Sequence, residues 1–289
     1  MADVERDEIS GTDTTGHEWD GIKELNTPLP RWWILTFYAT IVWALGYVIL
    51  YPALPLIDSA TGGLLGYSSR AELAAELTQA KAAQAQYLDR IASASPAEIR
   101  ADQDLLQFAI AGGRSAFSIN CAPCHGAGAQ GAAGYPNLND DDWLWGGSLD
   151  EIYATLKNGI RAPHNDDTRD SIMPAFGTDE VLEKAQIADV TNFVLALSGK
   201  DHDSAAAQRG AEVFADNCAA CHGEKGTGNK EFGAPSLADA IWLYGQDAAA
   251  IGAQISSPKH GVMPAWAGRL DDTVIKQLTV YVHSLGGGQ

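Results

Sequence analysis

The chain has 289 residues, with 37 acidic and 19 basic side chains and a formal net charge of −18. That balance excludes a nucleic-acid binder, which needs basic surface to neutralise phosphates, so no nucleic-acid partner is expected. An apolar content of 46% with 19% charged residues excludes a disordered acidic chain. The mean hydropathy of −0.12 hides local runs, which the order of residues reveals.

Residues 1–31 carry eight carboxylates against Arg6, Lys23 and Arg31. They show no apolar period, and we expect this N-terminal segment to be mobile. The next segment, 32–57, holds 26 residues without a charge. Its part before Pro52 suits a helix of about 20 residues, long enough at ~1.5 Å per residue to cross the bilayer. Trp32 and Trp33 mark one end and Tyr47 and Tyr51 the other, as interfacial aromatics do. A signal peptide has a shorter apolar core nearer the start, and a soluble core helix rarely runs so long uncharged. Lys23 and Arg31 precede the span and the next base is Arg70, which places the N-terminus in the cytoplasm and the rest outside.

Residues 58–104 read as a helical connector. Ser69-Arg-Ala-Glu72 has the form of a capping box, and Ser95-Pro-Ala-Glu98 is a second one with proline at the first helical position. Leu73, Leu77, Leu88 and Ile91 can share one face. This region either spans between membrane and globular part or decorates the first globular domain.

The remainder is an internal repeat. Gly113 through Gly126 matches Gly210 through Gly223 at an offset of 97. Pro136-Asn-Leu138 and Trp143-Leu-Trp145-Gly146 match Pro235-Ser-Leu237 and Trp242-Leu-Tyr244-Gly245 at an offset of 99. Met173-Pro-Ala-Phe176 matches Met263-Pro-Ala-Trp266 at an offset of 90. Ile187, Val190, Val194 and Leu197 match Ile275, Leu278, Val282 and Leu285, each set lying on one helical face. Two small domains are expected, 105–200 and 201–289, each too small for a large core of its own. Gly113 with Phe117, and Gly210 with Phe214, would let the first helix of a repeat cross its last one closely, against Phe193 and Tyr281.

Each repeat carries Cys-x-x-Cys-His, the attachment signal of a c-type haem. On one helical turn, Cys121 and Cys124 face the same way and can reach the two vinyl groups of one porphyrin. His125 then points at the iron. Cys218, Cys221 and His222 repeat the arrangement. The motifs use every cysteine in the chain. A zinc site would want both Cys pairs together, and a redox disulfide would want a βαβ context.

Two internal methionines, Met173 and Met263, stand in matching segments. A thioether opposite His makes a six-coordinate iron of raised potential. His164 and His260 lie nearby and compete for the role; ordinary core packing is the other reading of the methionines. His17, His202 and His283 read as surface or packing residues. A ligating His donates its other ring proton to an acceptor, for which the Pro136 and Pro235 carbonyls are candidates.

The segment from Thr15-Gly-His-Glu-Trp-Asp-Gly-Ile to Pro30-Arg-Trp-Trp33, the exits Tyr51-Pro-Ala-Leu-Pro55 and Gly63-Leu-Leu-Gly-Tyr-Ser-Ser-Arg70, and the two haem motifs together resemble the dihaem subunit III of cbb3-type cytochrome c oxidases. The resemblance covers nearly the whole chain. It implies an all-α fold with one N-terminal transmembrane helix, a helical connector and two tandem class-I-like cytochrome c domains. It also implies two covalent haem c groups in a bacterial inner-membrane protein whose haem domains are periplasmic. Such a subunit is not an enzyme by itself. It takes electrons from a periplasmic cytochrome c and passes them toward the monohaem cytochrome subunit and the haem–copper catalytic subunit, which reduces oxygen to water. Whether each methionine serves its own repeat or the two are exchanged stays open. The alternatives are a free-standing membrane-anchored dihaem carrier and a peroxidase-like enzyme with one open iron. Acid concentrates at Asp140-Asp141-Asp142, Asp150-Glu151 and Asp166-Asp167, and a basic cytochrome c is expected to dock there.

Overall fold

A computed structural model describes residues 4–287. It divides into two compact units, residues 1–83 and 84–289. The first unit opens with a hairpin of β1 (Thr14–Trp19) and β2 (Ile22–Leu25), paired antiparallel. This corrects the expectation of a mobile segment. Asp20 and Gly21 both have positive φ, 51° and 83°, as a two-residue primed turn requires. Buried Thr14 anchors the hairpin: its Oγ1 accepts from Glu5 N at 3.0 Å.

Helix α1 (Arg31–Leu50) follows Pro30 and buries none of its residues within the chain. Its exposed apolar surface is that of a helix whose solvent is lipid. Trp33 stacks on Phe37, and Trp43, Tyr47 and Tyr51 stack in succession. The exit loop satisfies carbonyls that the helix end leaves open. Leu64 N and Leu65 N donate to Ile49 O and Leu50 O, both at 3.0 Å. Gly63 permits this approach, since a Cβ there would lie 2.4 Å from Leu50 O at a φ of +66°. The Gly63-Leu-Leu sequence thus has a structural task at the membrane exit.

Helix α2 (Ser69–Ser93) is capped by the Ser68 side chain, which accepts from Ala71 N at 3.3 Å. The cap is one residue earlier than the Ser69 box predicted. Ser68 directly precedes the helix, so its oxygen can turn back to the free amides of the first turn. The second box forms as expected: α3 (Pro96–Ala101) is capped by Ser95 and Glu98 reciprocally. Leu73 and Leu77 remain exposed, whereas Ile91 and Ile99 are buried with Leu105, Ala109 and Val280. Residues 84–104 therefore decorate the globular unit, the second of the two expected arrangements.

The globular unit continues with α4 (Gln103–Asn120), α5 (Ala122–His125), α6 (Leu149–Asn158), α7 (Lys184–Leu197), α8 (Ser204–Asn217), α9 (Ala219–His222), α10 (Ala248–Ser256) and α11 (Asp272–His283). The predicted faces are buried: Ile187, Val190 and Val194 on α7, and Ile275, Leu278 and Val282 on α11. The partners are exchanged, however. Helix α7 packs on α8 and α11 packs on α4. Gly210 abuts the Asp189 carbonyl, and Gly113 abuts the Gln277 carbonyl. Phe214 meets Phe193 at 5.1 Å between centroids, and Phe117 meets Tyr281 at 5.5 Å. The last helix of each sequence repeat thus completes the other repeat, so 105–200 and 201–289 are units of sequence and not of packing. The cause is the short Ser198–Asp203 connection, which keeps α8 beside α7. Helix α11 is then left to cover α4.

Candidate functional site

Each Cys-x-x-Cys-His motif sits where a long helix gives way to a single short turn. Cys121 N donates to Phe117 O and closes α4, and Cys218 N donates to Phe214 O and closes α8. A four-residue helix carries the rest of each motif. The first thiol of each pair is buried and the second exposed. Burial, reinforced by the neighbouring thiol, pushes the Cys121 and Cys218 thiols up to about 11. Neither is then an activated thiolate. Among the described residues, no three His, Cys, Asp or Glu side chains cluster as ligands of a single ion would.

The histidines are oriented as the repeat predicted. His125 Nδ1 lies 3.0 Å from Pro136 O, and His222 Nδ1 lies 3.0 Å from Pro235 O. The carbonyl accepts, so Nδ1 carries the proton and Nε2 keeps its lone pair. Burial pulls both imidazoles below their ordinary pKa, which preserves the neutral, ligating form. Glycines make the loops tight enough for this contact. A Cβ on Gly131 would lie 2.5 Å from Tyr135 O, and one on Gly228 would lie 2.8 Å from Ala234 O.

Each methionine lies beside the motif of the other repeat. Met173 shares one apolar cavity with Cys218, Cys221 and His222, walled by Phe214, Ile251 and Trp242. Met263 packs against the cluster of Phe117, Cys121, Ile152 and Leu156. Backbone pairing holds the exchanged segments in equivalent ways. Met263 and Ile160 exchange N–H···O bonds of 3.0 and 2.9 Å, and Ala267 N donates to Lys157 O at 3.1 Å. In the other half, Gly177 N donates to Ser256 O, also at 3.1 Å. A Cβ on Gly159 would lie 2.4 Å from Met263 O, so that turn too must be glycine.

The competing histidines separate. His164 is exposed and does not line the cavity. His260 does, and its Nε2 accepts from Met173 N at 3.1 Å. His202 and His17 are exposed, and His283 is buried beside Arg100.

The donor set fits a covalently attached haem. In the second half, two unpaired thiols, one oriented imidazole and one thioether border a single apolar cavity. The acidic patch is broader than the sequence run implied. Asp239 of the second repeat joins Asp140, Asp141 and Asp142, with Lys230 nearby. Burial, then Asp239 and the adjacent aspartates, raises Asp142 to about 6.

Comparisons with known proteins place the chain in a family. Residues 11–58 match the family described as the N-terminal domain of cytochrome oxidase-cbb3, FixP. Residues 108–194 and 205–282 match cytochrome C oxidase, cbb3-type, subunit III. The chain is 59% identical over 288 residues to the cbb3-type cytochrome c oxidase subunit FixPc of Rhizobium leguminosarum bv. viciae, covering 100% of both chains. It is 55% identical over 291 residues to subunit FixP of Sinorhizobium medicae, again covering 100% of both. With subunit CcoP of Cereibacter sphaeroides it shares 51% over 276 residues, covering 96% of this chain and 95% of that one. The chain belongs to the cbb3-type cytochrome c oxidase subunit III family and is a membrane-anchored electron-transfer subunit of that oxidase.

Proposed function

We propose that this subunit carries two covalent haem c groups with crossed methionine ligation. Cys121 and Cys124 hold one haem, ligated by His125 and Met263. Cys218 and Cys221 hold the other, ligated by His222 and Met173. The observation that carries this reading is the shared cavity of Met173, His222 and both thiols of the second motif. When bound, each haem supplies a one-electron centre that cycles between ferric and ferrous iron.

The chain's own residues set the conditions for that cycle. His125 and His222 are held by proline carbonyls, so little reorientation accompanies a change of charge. Phe214, Trp242 and Ile251 give the second site apolar walls, and a thioether ligand in an apolar cavity raises the potential. With one His and one Met each, the two haems would have no open position for substrate, which supports outer-sphere transfer.

Electrons enter from a basic periplasmic cytochrome c at the aspartate patch and leave toward the monohaem subunit and the haem–copper subunit. Helix α1 anchors the chain in the bacterial inner membrane with its hairpin on the cytoplasmic side, as the Lys23 and Arg31 positions suggest. The test is to purify the complex in mild detergent. An intact mass of this chain larger than its polypeptide by two haems, with b haem and copper in the same complex, supports the reading. A mass larger by one haem or none refutes it.

A further inference from the structure

Arg161 lies in the loop after α6, where the repeat offset falls from 99 to 90 because the first repeat has extra residues before its methionine. It is a non-glycine residue in the left-handed region, with φ of 50°. Such a conformation persists only when surrounding contacts enforce it. Here they do: Arg161 N donates to Arg169 O at 2.8 Å, and the preceding Ile160 is paired with Met263 on both sides.

The side chain does something more specific. Arg161 Nε donates to Gly261 O at 2.7 Å, and Nη1 donates to Ser171 O at 2.8 Å. Those carbonyls belong to the residues two before Met263 and two before Met173. One guanidinium therefore bonds equivalent points on both methionine loops. His260, from the second loop, adds a direct tie by accepting from Met173 N. Among the described residues, no carboxylate stands within ion-pair distance of Arg161. Half-buried and at the edge of the second haem cavity, the cation is held by backbone carbonyls of the two loops and not by a salt bridge.

We propose that Arg161 is a positioning residue that clasps both methionine loops, so that ligation at the two irons is mechanically coupled through one side chain. This rests on the crossed ligation proposed above and adds that the two sites share a fastening. The planar fork suits the task, because rigidly spaced donors can satisfy two carbonyls at once. A lysine offers one compact ammonium and holds one loop less well.

The test uses the full chain in detergent with both haems attached. The readouts are the sulfur-to-iron charge-transfer band of each ferric haem and both midpoint potentials, with haem content as the folding control. Losing one hydrogen bond shifts a loop's held-to-open ratio about fivefold. Arg161→Ala is expected to weaken the band in both haems and to lower both potentials. Arg161→Lys, which keeps the charge and most of the stem, is expected to fall between. Met173→Leu distinguishes the two claims, since it should abolish the band of one haem only. If Met173→Leu leaves both bands intact, the ligation reading fails and takes the clasp with it. If Met173→Leu behaves as expected but Arg161→Ala leaves both bands at full strength, the clasp alone is overturned. A lowered potential with unchanged bands overturns it too, because Arg161 then acts by charge. Should Arg161→Ala fail to retain haem, Arg161→Lys decides: bands equal to wild type overturn the clasp.

Discussion

Gly210→Ala tests the helix exchange through a close contact. Gly210 lies on α8, and a Cβ built there is 2.1 Å from Asp189 O and 2.9 Å from Val190 Cα, both backbone atoms of α7. Ordinary Cβ contacts start near 3.4 Å, so relief requires the helices to part by about 1 Å. Backbone atoms cannot rotate away as a side-chain tip would. Overpacking of this kind costs about 1–3 kcal/mol, and more when backbone must move. Alanine in a helix interior returns about 1 kcal/mol relative to glycine. Because the clashing atoms are backbone, the upper end of that range applies, and the net loss is about 2 kcal/mol. For a unit of this size each kcal/mol lowers Tm by about 2–4 °C, so a fall of about 4–8 °C is expected. The assay is thermal unfolding of the detergent-solubilised haem-loaded chain. An unchanged or raised Tm would refute the contact, because that is what helix propensity alone produces.

Three further expectations follow from the site and its surroundings. Asp142 has an ordinary pKa of 3.8 and is raised to about 6 in the folded chain, so the native state holds this proton more tightly than the unfolded one. Its contribution to stability is present below about pH 4 and lost as pH rises through about 6; Asp142→Asn should therefore raise Tm relative to wild type at pH 7 but not at pH 4, and an equal difference at both would contradict the assignment. Replacing Asp140, Asp141 and Asp142 with Asn should slow electron input from a basic cytochrome c and flatten its salt dependence, measured by stopped-flow at varied ionic strength; unchanged rates at every salt concentration would exclude the patch. Ser148 caps α6 by accepting from Glu151 N at 3.3 Å while Glu151 accepts from Ser148 N at 2.9 Å. Its replacement by Ala should cost about 1 kcal/mol, read as a Tm lower by about 2–4 °C.

Much of the molecule was legible because its chemistry is written in short spacings. The Cys-x-x-Cys-His units, the matched methionines and the proline carbonyls all follow from the repeat. So do the buried faces of α7 and α11. The uncharged run from Trp32 became most of α1, which starts one residue earlier at Arg31 and ends at Leu50. Two features escaped for physical reasons. The hairpin has four- and six-residue strands with no apolar alternation. Its sole local signal was Asp20-Gly21, a primed-turn dipeptide that hydropathy does not register. The exchange of last helices escaped because both carry the same apolar face. Val190 and Leu278 bury equally well, each 0% exposed, so pattern alone cannot choose a partner. The deciding information was the length of the Ser198–Asp203 connection, which is short enough to keep α8 against α7. Exchange of the methionines accompanies exchange of the helices: Ile187 and Phe176 pack in one cluster with Phe214, and Ile275 and Trp266 pack in another with Phe117.

Crossed ligation is the central claim, and a chain with one haem tests it most directly. Cys218→Ala with Cys221→Ala leaves only the haem on Cys121 and Cys124. In that background the ferric sulfur-to-iron band should vanish with Met263→Leu and persist with Met173→Leu. Loss of the band with Met173→Leu and its survival with Met263→Leu would contradict the account.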